Sequence, residues 1–496
     1  MRQRPAAVLQ LLAAALLGAS SAAAQGVGVA AHGEPLTGPA LIAELARRVP
    51  QLQAEAIVPG VAVALVEGGQ VAWTGEFGVL STRSKAKVTS ETVFEAASLS
   101  KPVFAYAVLQ LVERGILDLD VPLTTYTGRR YIEGDPLLDR ITARHVLSNT
   151  TGFPNWRPRQ AQLQVHFTPG ERFSYSGEGY AYLQEAVEYT TGKPLEVLMQ
   201  ELVFEPLAMT SSSFIWRSIH EDRKATGHDE IGQPNIRREP PAAEAASSLH
   251  TTATDYARFV AALMRRETLT ARTYDDMWSP QVTLDATCMI CIGQEMRSPS
   301  ASLAWGLGWG LETATADTTI WHWGDNQDMH AFVLAIPARQ QALVVLTNGE
   351  NGITLIPALS ASLLGRPHSA YEWLRVGPTS TPVRRLQVAL VRRGNAAMTD
   401  YVRRRESLPM GERITESEMT ALGHELVNDG RVDLAITVFR QNSVDYPLRL
   451  HHMVHLGGAH LLVGDRGRAL EAFERILALD PYHPTARGMA AELRVA

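Results

Sequence analysis

The sequence predicts an α/β chain of the α+β kind: an antiparallel sheet flanked by helices, with a helical subdomain, and then an all-α domain. Two patterns carry that reading. Strand signals sit at both ends of one long segment with helical signals between them, and a 34-residue self-similarity marks the C-terminal part. Composition agrees, since 45% apolar and 20% charged residues disfavour disorder, collagen and coiled coil. At roughly 100–200 residues per domain, 496 residues correspond to about two to four domains. The formal charge is −6, from 46 basic and 52 acidic residues. With no basic surplus to displace counterions from phosphates, broad nucleic-acid binding is not expected.

The first element to assign is the amino terminus. Arg2 and Arg4 precede an apolar run from Ala6 to Leu17, and Ala22-Ala23-Ala24 offers a small-residue cleavage site. That three-part order is a secretory signal peptide, here over 1–24, and the run is shorter than the ~20 residues a membrane span needs. The expectation is an exported protein, periplasmic or secreted, with no transmembrane segment after processing. Removing 1–24 takes away two arginines and no acid, leaving −8. In an oxidising compartment the two cysteines, Cys288 and Cys291, read as a local structural disulfide. A redox pair would need a βαβ setting, and zinc would need further ligands nearby.

The domain expected over 25–366 opens with a hairpin. Val61–Val66 is β-rich, Glu67-Gly68-Gly69 is a turn signal, and Gln70–Thr74 resumes extended character. A second hairpin is expected from Ala331–Ile336 and Ala342–Thr347. Between them, Val103–Arg114, Tyr180–Thr190 and Thr254–Met264 have helical patterns, the last with Thr252 and Asp255 as a capping start. The proline-bearing stretch over 367–382 reads as a linker.

The helical domain is expected over 383–496, with repeats at 417–450 and 451–484. At a shift of 34, Leu422-Gly423 maps to Leu456-Gly457, Gly430 to Gly464, Ala435 to Ala469, Phe439 to Phe473 and Pro447 to Pro481. Small residues let paired helices approach, glycines make the turns and prolines stop the second helix. The pattern resembles tetratricopeptide repeats. Two units are few for an isolated solenoid, so they are expected to lean on the helix around Val383–Arg405 or on the main domain. A peptide or protein partner groove and a plain spacer are equally compatible. His451, His452 and His455 are read as surface or packing histidines, because no acidic ligand accompanies them in sequence, and no metal or other cofactor is assigned.

The chemistry centres on Ser98-Leu99-Ser100-Lys101. A serine hydroxyl needs an adjacent base to act as a nucleophile, and a lysine whose pKa is lowered by burial can be that base. Pro102 suits a helix start, so Ser98 and Lys101 are expected on one face of a first turn. Two further segments follow in order, Phe173-Ser174-Tyr175-Ser176-Gly177-Glu178-Gly179 leading into a helix, and Ile320-Trp321-His322-Trp323-Gly324-Asp325 before the penultimate strand. With scaffold segments such as Ile141–Gly152 and Ala246–Asp255, these motifs resemble the serine β-lactamase and penicillin-recognising superfamily, in its class C-like branch, over about residues 40–365.

The resemblance implies an acyl-enzyme on Ser98, with Lys101 as its base partner and Tyr175 as phenol or phenolate carrying protons to the leaving group and the deacylating water. It implies an oxyanion hole of the Ser98 and Asp325 backbone N–H groups. His322-Trp323-Gly324 stands where the family has Lys-Thr-Gly, and Gly177 stands where β-lactamases carry asparagine. His322 weakens the charge that draws a substrate carboxylate, and Gly324 leaves a substrate's approach open. Glu178 is read as a solvated loop carboxylate, and the four tryptophans Trp305, Trp309, Trp321 and Trp323 as core packing or as an acyl-cleft wall. The expected function is therefore an exported serine hydrolase cleaving an ester, amide or lactam of a small acyl compound. The alternatives are a class C-like β-lactamase or D-alanyl carboxypeptidase, and a non-catalytic ligand-binding protein using the repeats.

Overall fold

The computed structural model describes residues 34–157, 162–236, 238–293, 298–313 and 317–495. The signal-peptide segment 1–24 lies outside the described residues. Among these, ten strands form: β1 Gly60–Glu67, β2 Gln70–Gly78, β3 Phe94–Ala97, β4 Leu249–Thr251, β5 Val282–Asp285, β6 Pro299–Trp305, β7 Gly310–Glu312, β8 Thr319–Asp325, β9 His330–Ile336 and β10 Gln341–Thr347. Eight of them make one antiparallel sheet in the order β2-β1-β10-β9-β8-β7-β6-β5, and β3 pairs with β4 separately. The expected hairpins are β1–β2 and β9–β10, and β1 closes against β10 with Val61 opposite Thr347. The N- and C-terminal strands thus lie side by side, which is why strand signals occur at both ends of this segment.

Period-two alternation splits the central strands between two cores. Ala62, Ala64, Val66, Val333 and Val344 face a cluster built on the helices Ser100–Glu113 and Ala253–Met264. Val61, Val63, Leu65, Leu334 and Val345 face the helices Gly38–Ala56 and Ile356–Leu364. A sheet covered on both faces has no polar side, and β9 and β10 are buried along their whole length. Each fully buried Val or Leu contributes about 1.5–3 kcal/mol. The helical insert beside the sheet includes Gly177–Thr191, capped by Ser176 Oγ accepting from Gly179 N and ended by Gly192 at φ +68°. Among the described residues no helix is long and apolar enough to cross a membrane.

The described residues divide into two compact units, 34–379 and 380–495. The linker expected over 367–382 is therefore corrected for most of its length. Residues Ala370–Trp373 form a short helix, and buried Tyr371 and Trp373 belong to the second core of the sheet domain. Trp373 Nε1 donates to Asp285 O at 2.9 Å. The prolines signalled a break, but the two aromatics between them bury too much apolar surface to remain a tether.

In the second unit the helices Glu416–Asn428 and Val432–Asp445 are followed, at a constant offset of 34, by Leu450–Leu462 and Arg466–Leu479. A Cβ on Gly423 would come 2.3 Å from Phe439, and one on Gly457 would come 2.8 Å from Phe473. The repeated Gly–Phe pairs are thus the points where each helix pair closes. The support expected over 383–405 is two helices, Pro382–Arg393 and Asn395–Arg404, split at Gly394. Leu386, Leu390 and Met398 share a core with Met419, Leu422 and Phe439.

Candidate active site

The site begins with a strained turn. The β3–β4 register slips between Glu95 and Ala97, and Ala97, fully buried, is held at φ +48°. A non-glycine residue in this region costs about 1–3 kcal/mol and persists only where its surroundings over-determine it. Here Ser100 does so, donating from Oγ to Ala97 O at 2.6 Å and accepting from Leu249 N at 3.0 Å. The turn delivers Ser98 just ahead of the helix that starts at Ser100. Ser98 therefore precedes the helix rather than riding its first turn, and an i,i+3 bond from Lys101 N to Ser98 O supplies the expected proximity. Among the described residues the Ser98 N–H has no hydrogen-bond partner.

Lys101 is fully buried. Its Nζ lies 3.0 Å from Ser98 Oγ and 2.8 Å from Ala246 O. The ammonium also stands over the rings of Tyr175 and Tyr180, at 4.7 and 5.4 Å from their centroids. Desolvation lowers its pKa to about 7, against a weaker opposing pull from Glu244. A lysine so poised is substantially neutral at physiological pH, with a lone pair within reach of the serine proton.

Tyr175 is held from both sides. Asn149, buried and at φ +55°, accepts from Ser174 N through its carbonyl at 2.8 Å and from Ser176 N through Oδ1 at 3.0 Å. On the other side Tyr175 N donates to Met289 O at 2.9 Å, and Cys291 N donates to Ser174 Oγ at 2.9 Å. Met289 and Cys291 belong to the loop closed by the Cys288–Cys291 disulfide, so the cysteine pair braces the tyrosine segment. The Tyr175 hydroxyl is buried without a well-formed hydrogen bond. Burial raises its pKa, Ser98 beside it opposes this in part, and Asp325 adds to the rise. Of the two forms the resemblance allows, the environment selects the neutral phenol.

His322 lies beside these groups, its ring 6.2 Å from that of Tyr175. Nδ1 is 2.7 Å from Trp323 O and so carries the proton, leaving Nε2 a buried lone pair without a partner. Burial, with Lys101 nearby, pushes its pKa down to about 3. The residue at the Lys-Thr-Gly position is thus uncharged, going beyond the weakened charge expected. A Cβ on Gly324 would strike Ala96 O at 2.2 Å. The glycine lets β8 press against β3, whose last residue is Ala97. Asn326 N bonds Met329 O across the β8–β9 turn, so alternation makes Asp325–His330 a non-hydrogen-bonded pair. The Asp325 N–H consequently faces away from β9. Partial desolvation would raise the pKa of the Asp325 carboxyl, but His330, the Gln327 N–H and Arg238 outweigh it and bring it below the usual value.

Two further expectations change. Glu178 is buried rather than solvated, with Oε1 accepting from Tyr131 Oη at 2.6 Å and Arg157 Nη2 at 2.7 Å. Trp305, Trp309 and Trp321 are core residues, whereas Trp323 packs against Tyr175 with ring centroids 4.7 Å apart. Gly177 is bare because a Cβ there would meet the Trp156 indole at 2.8 Å. Sequence reasoning missed Asn149, Trp156 and the Ala246 carbonyl. The left-handed Asn-Thr-Thr-Gly turn was a usable signal for the first, and a backbone acceptor such as the last has none.

The geometry is a serine hydrogen-bonded to a buried, near-neutral lysine beside a tyrosine held as its phenol. The family described as Beta-lactamase matches residues 45–358. Penicillin-binding protein 4 of Amycolatopsis lactamdurans is 24% identical over 340 residues, 64% of this chain and 88% of that protein. An esterase of Burkholderia gladioli is 29% identical over 205 residues, 35% of this chain and 51% of its own length. Among solved structures, D-alanine carboxypeptidase AmpC from Burkholderia cenocepacia superposes with a TM-score of 0.53 at 20% identity, over 68% of this chain and 99% of that one. That likeness speaks to the fold alone. The family match spans well over half of the chain and every residue placed in the site, and the chain belongs to the β-lactamase family of serine hydrolases.

Proposed function

We propose that the chain is an exported hydrolase that cleaves esters of small, uncharged acyl groups through a Ser98 acyl-enzyme. The observation that carries the mechanism is Lys101 Nζ at 3.0 Å from Ser98 Oγ in a fully buried setting. Lys101 takes the serine proton as Oγ bonds to the carbonyl carbon. The Ser98 and Asp325 N–H groups receive the developing oxyanion. Tyr175, a phenol, gives its proton to the departing alkoxide and is reprotonated from Lys101. Water then repeats the sequence on the acyl-enzyme, with Ser98 Oγ as leaving group.

The ester preference rests on the neutral, buried His322, which offers no fixed cation to a substrate carboxylate, and on Trp156 covering the position where an asparagine amide would contact an acylamino group. Short-chain p-nitrophenyl esters and a chromogenic cephalosporin, tested side by side with intact-mass detection of the adduct, decide the matter. Ester turnover through a wild-type adduct missing from Ser98→Ala supports the proposal. Faster cephalosporin turnover would favour the β-lactamase reading, and absence of both turnover and adduct would favour a ligand-binding protein. The N-terminal pattern supports export, which the mass of the mature chain in a periplasmic or secreted fraction tests. The helical repeats supply a surface for a peptide or protein partner.

A further inference from the structure

The 34-residue offset has a chemical consequence in the second unit. Glu416 opens one helix, and Leu450, its counterpart one repeat later, opens another. His451 and His452 are the next two residues after that counterpart. Stacking successive repeats therefore brings a carboxylate from one helix start against two imidazoles from the next. Glu416 Oε1 is 2.8 Å from His452 Nε2 and 3.7 Å from His451 Nε2. One ligand atom from each of the three residues lies within 4.8 Å of the other two. The sequence hides this set because its acidic member stands more than thirty residues from the histidines.

The surroundings are unusual for plain packing. His452 is fully buried and His455 nearly so, and each has a buried Nδ1 with no hydrogen-bond partner. The His455 ring is 4.6 Å from that of His424 and 5.8 Å from that of His451. A buried imidazole nitrogen left unpaired carries an uncompensated desolvation penalty.

We propose that Glu416, His451 and His452 form a binding site for a divalent transition cation of the zinc class, joining the first helices of two successive repeats. Two imidazoles and a carboxylate suit a borderline cation such as Zn2+, at about 2.0–2.2 Å per ligand, better than the oxygen-preferring Mg2+ or Ca2+. Three protein ligands leave a fourth position for water or an incoming group. Arg449, whose Nε is 3.9 Å from the same carboxylate oxygen, is two-thirds exposed and can turn into solvent when the cation takes its place.

The test uses the full chain, without a histidine tag and stripped with EDTA. Zn2+ is titrated by calorimetry, and Co2+ is followed by visible absorption, for wild type, His451→Ala and Glu416→Gln. The expected result is one equivalent bound at this site, a Co2+ ligand-field spectrum, and at least about tenfold weaker binding in each folded variant. A wild type that binds neither ion, or folded variants that bind as tightly as wild type, would overturn the proposal. A second readout needs no variant. His451 is half exposed, so Zn2+ should protect it from diethyl pyrocarbonate, read by peptide mass. Unchanged modification in saturating Zn2+ would also overturn it.

Discussion

Two of the five lysines are buried on either side of one short strand, and they illustrate opposite uses of a cation. Lys224 side chain is 0% exposed and lies 2.9 Å from Glu95 Oε1 in β3, while Arg238 bonds the other oxygen of that carboxylate. Burial would raise the Glu95 pKa, but the charges of Lys224, Arg238 and His250 outweigh it and bring it to about 2. Lys101, in the first turn of the helix that follows the same strand, has a carbonyl and a hydroxyl as hydrogen-bond partners and, among the described residues, no carboxylate in contact. Burial is common to both, and the counter-charge is what differs. The paired lysine anchors the strand, and the other is the one whose pKa burial lowers to about 7, as the proposed base role requires. Glu95 also accepts from Asn326 Nδ2 at 2.8 Å, so the anchor reaches the residue beside Asp325.

The largest effect that would sharpen this contrast is loss of the reacting pair. Ser98→Ala should lower kcat/KM for the best ester by at least about 10⁴-fold with an unchanged fold. Lys101→Met should lower it by about 10²–10⁴-fold. An arginine at 101, always charged, should not restore the rate in steady-state assays.

Changes to the anchoring pair should act chiefly on stability. Lys224→Met leaves the buried Glu95 with Arg238 as its remaining counter-charge, and should cost up to about 3–5 kcal/mol in denaturant unfolding. Pairing it with Glu95→Leu should recover much of that loss. A single variant as stable as wild type would break the comparison.

Acid unfolding reads the same pair more gently. The folded-state pKa of Glu95 is depressed, so its contribution is present above the unfolded value and is lost as pH falls from about 4.5 toward about 2. The melting temperature should fall across that window, and Glu95→Gln should flatten the slope.

The smallest expected effect concerns Tyr175. Cys288→Ser with Cys291→Ser removes the disulfide bracing its segment and should lower kcat by about tenfold through misplacement of the phenol. KM should change less. An unaltered kcat would show that Asn149 alone suffices to hold the segment.

Local signals made much of the fold legible. A β-rich run ending in the Glu67-Gly68-Gly69 turn signal marked the first hairpin, and the Gly–Phe recurrences marked the helix pairs. Ser98, Lys101 and Tyr175 could be singled out because their motifs are compact, and the structure brings them together. What escaped was long-range. The counter-charges of a buried group come from distant segments, so sequence could not distinguish Lys101 from Lys224. Glu178 looked like an exposed loop carboxylate because Tyr131 lies 47 residues away. The depth of His322 is set by tryptophans stacked around it, and Tyr371 and Trp373 drew a proline-rich stretch into the core.

The most direct test of the central claim is the pH dependence of Ser98 acylation, followed as the single-turnover burst with a p-nitrophenyl ester from about pH 5 to about pH 9. Lys101 accepts a proton only when neutral, so the rate should be low in acid and rise through an apparent pKa near 7. Lys224→Met, with Glu95→Leu for stability, should retain that rising limb, and Lys101→Met should lose it along with most of the rate. A flat wild-type profile, or a limb that persists in Lys101→Met, would contradict the assignment of Lys101 as the base.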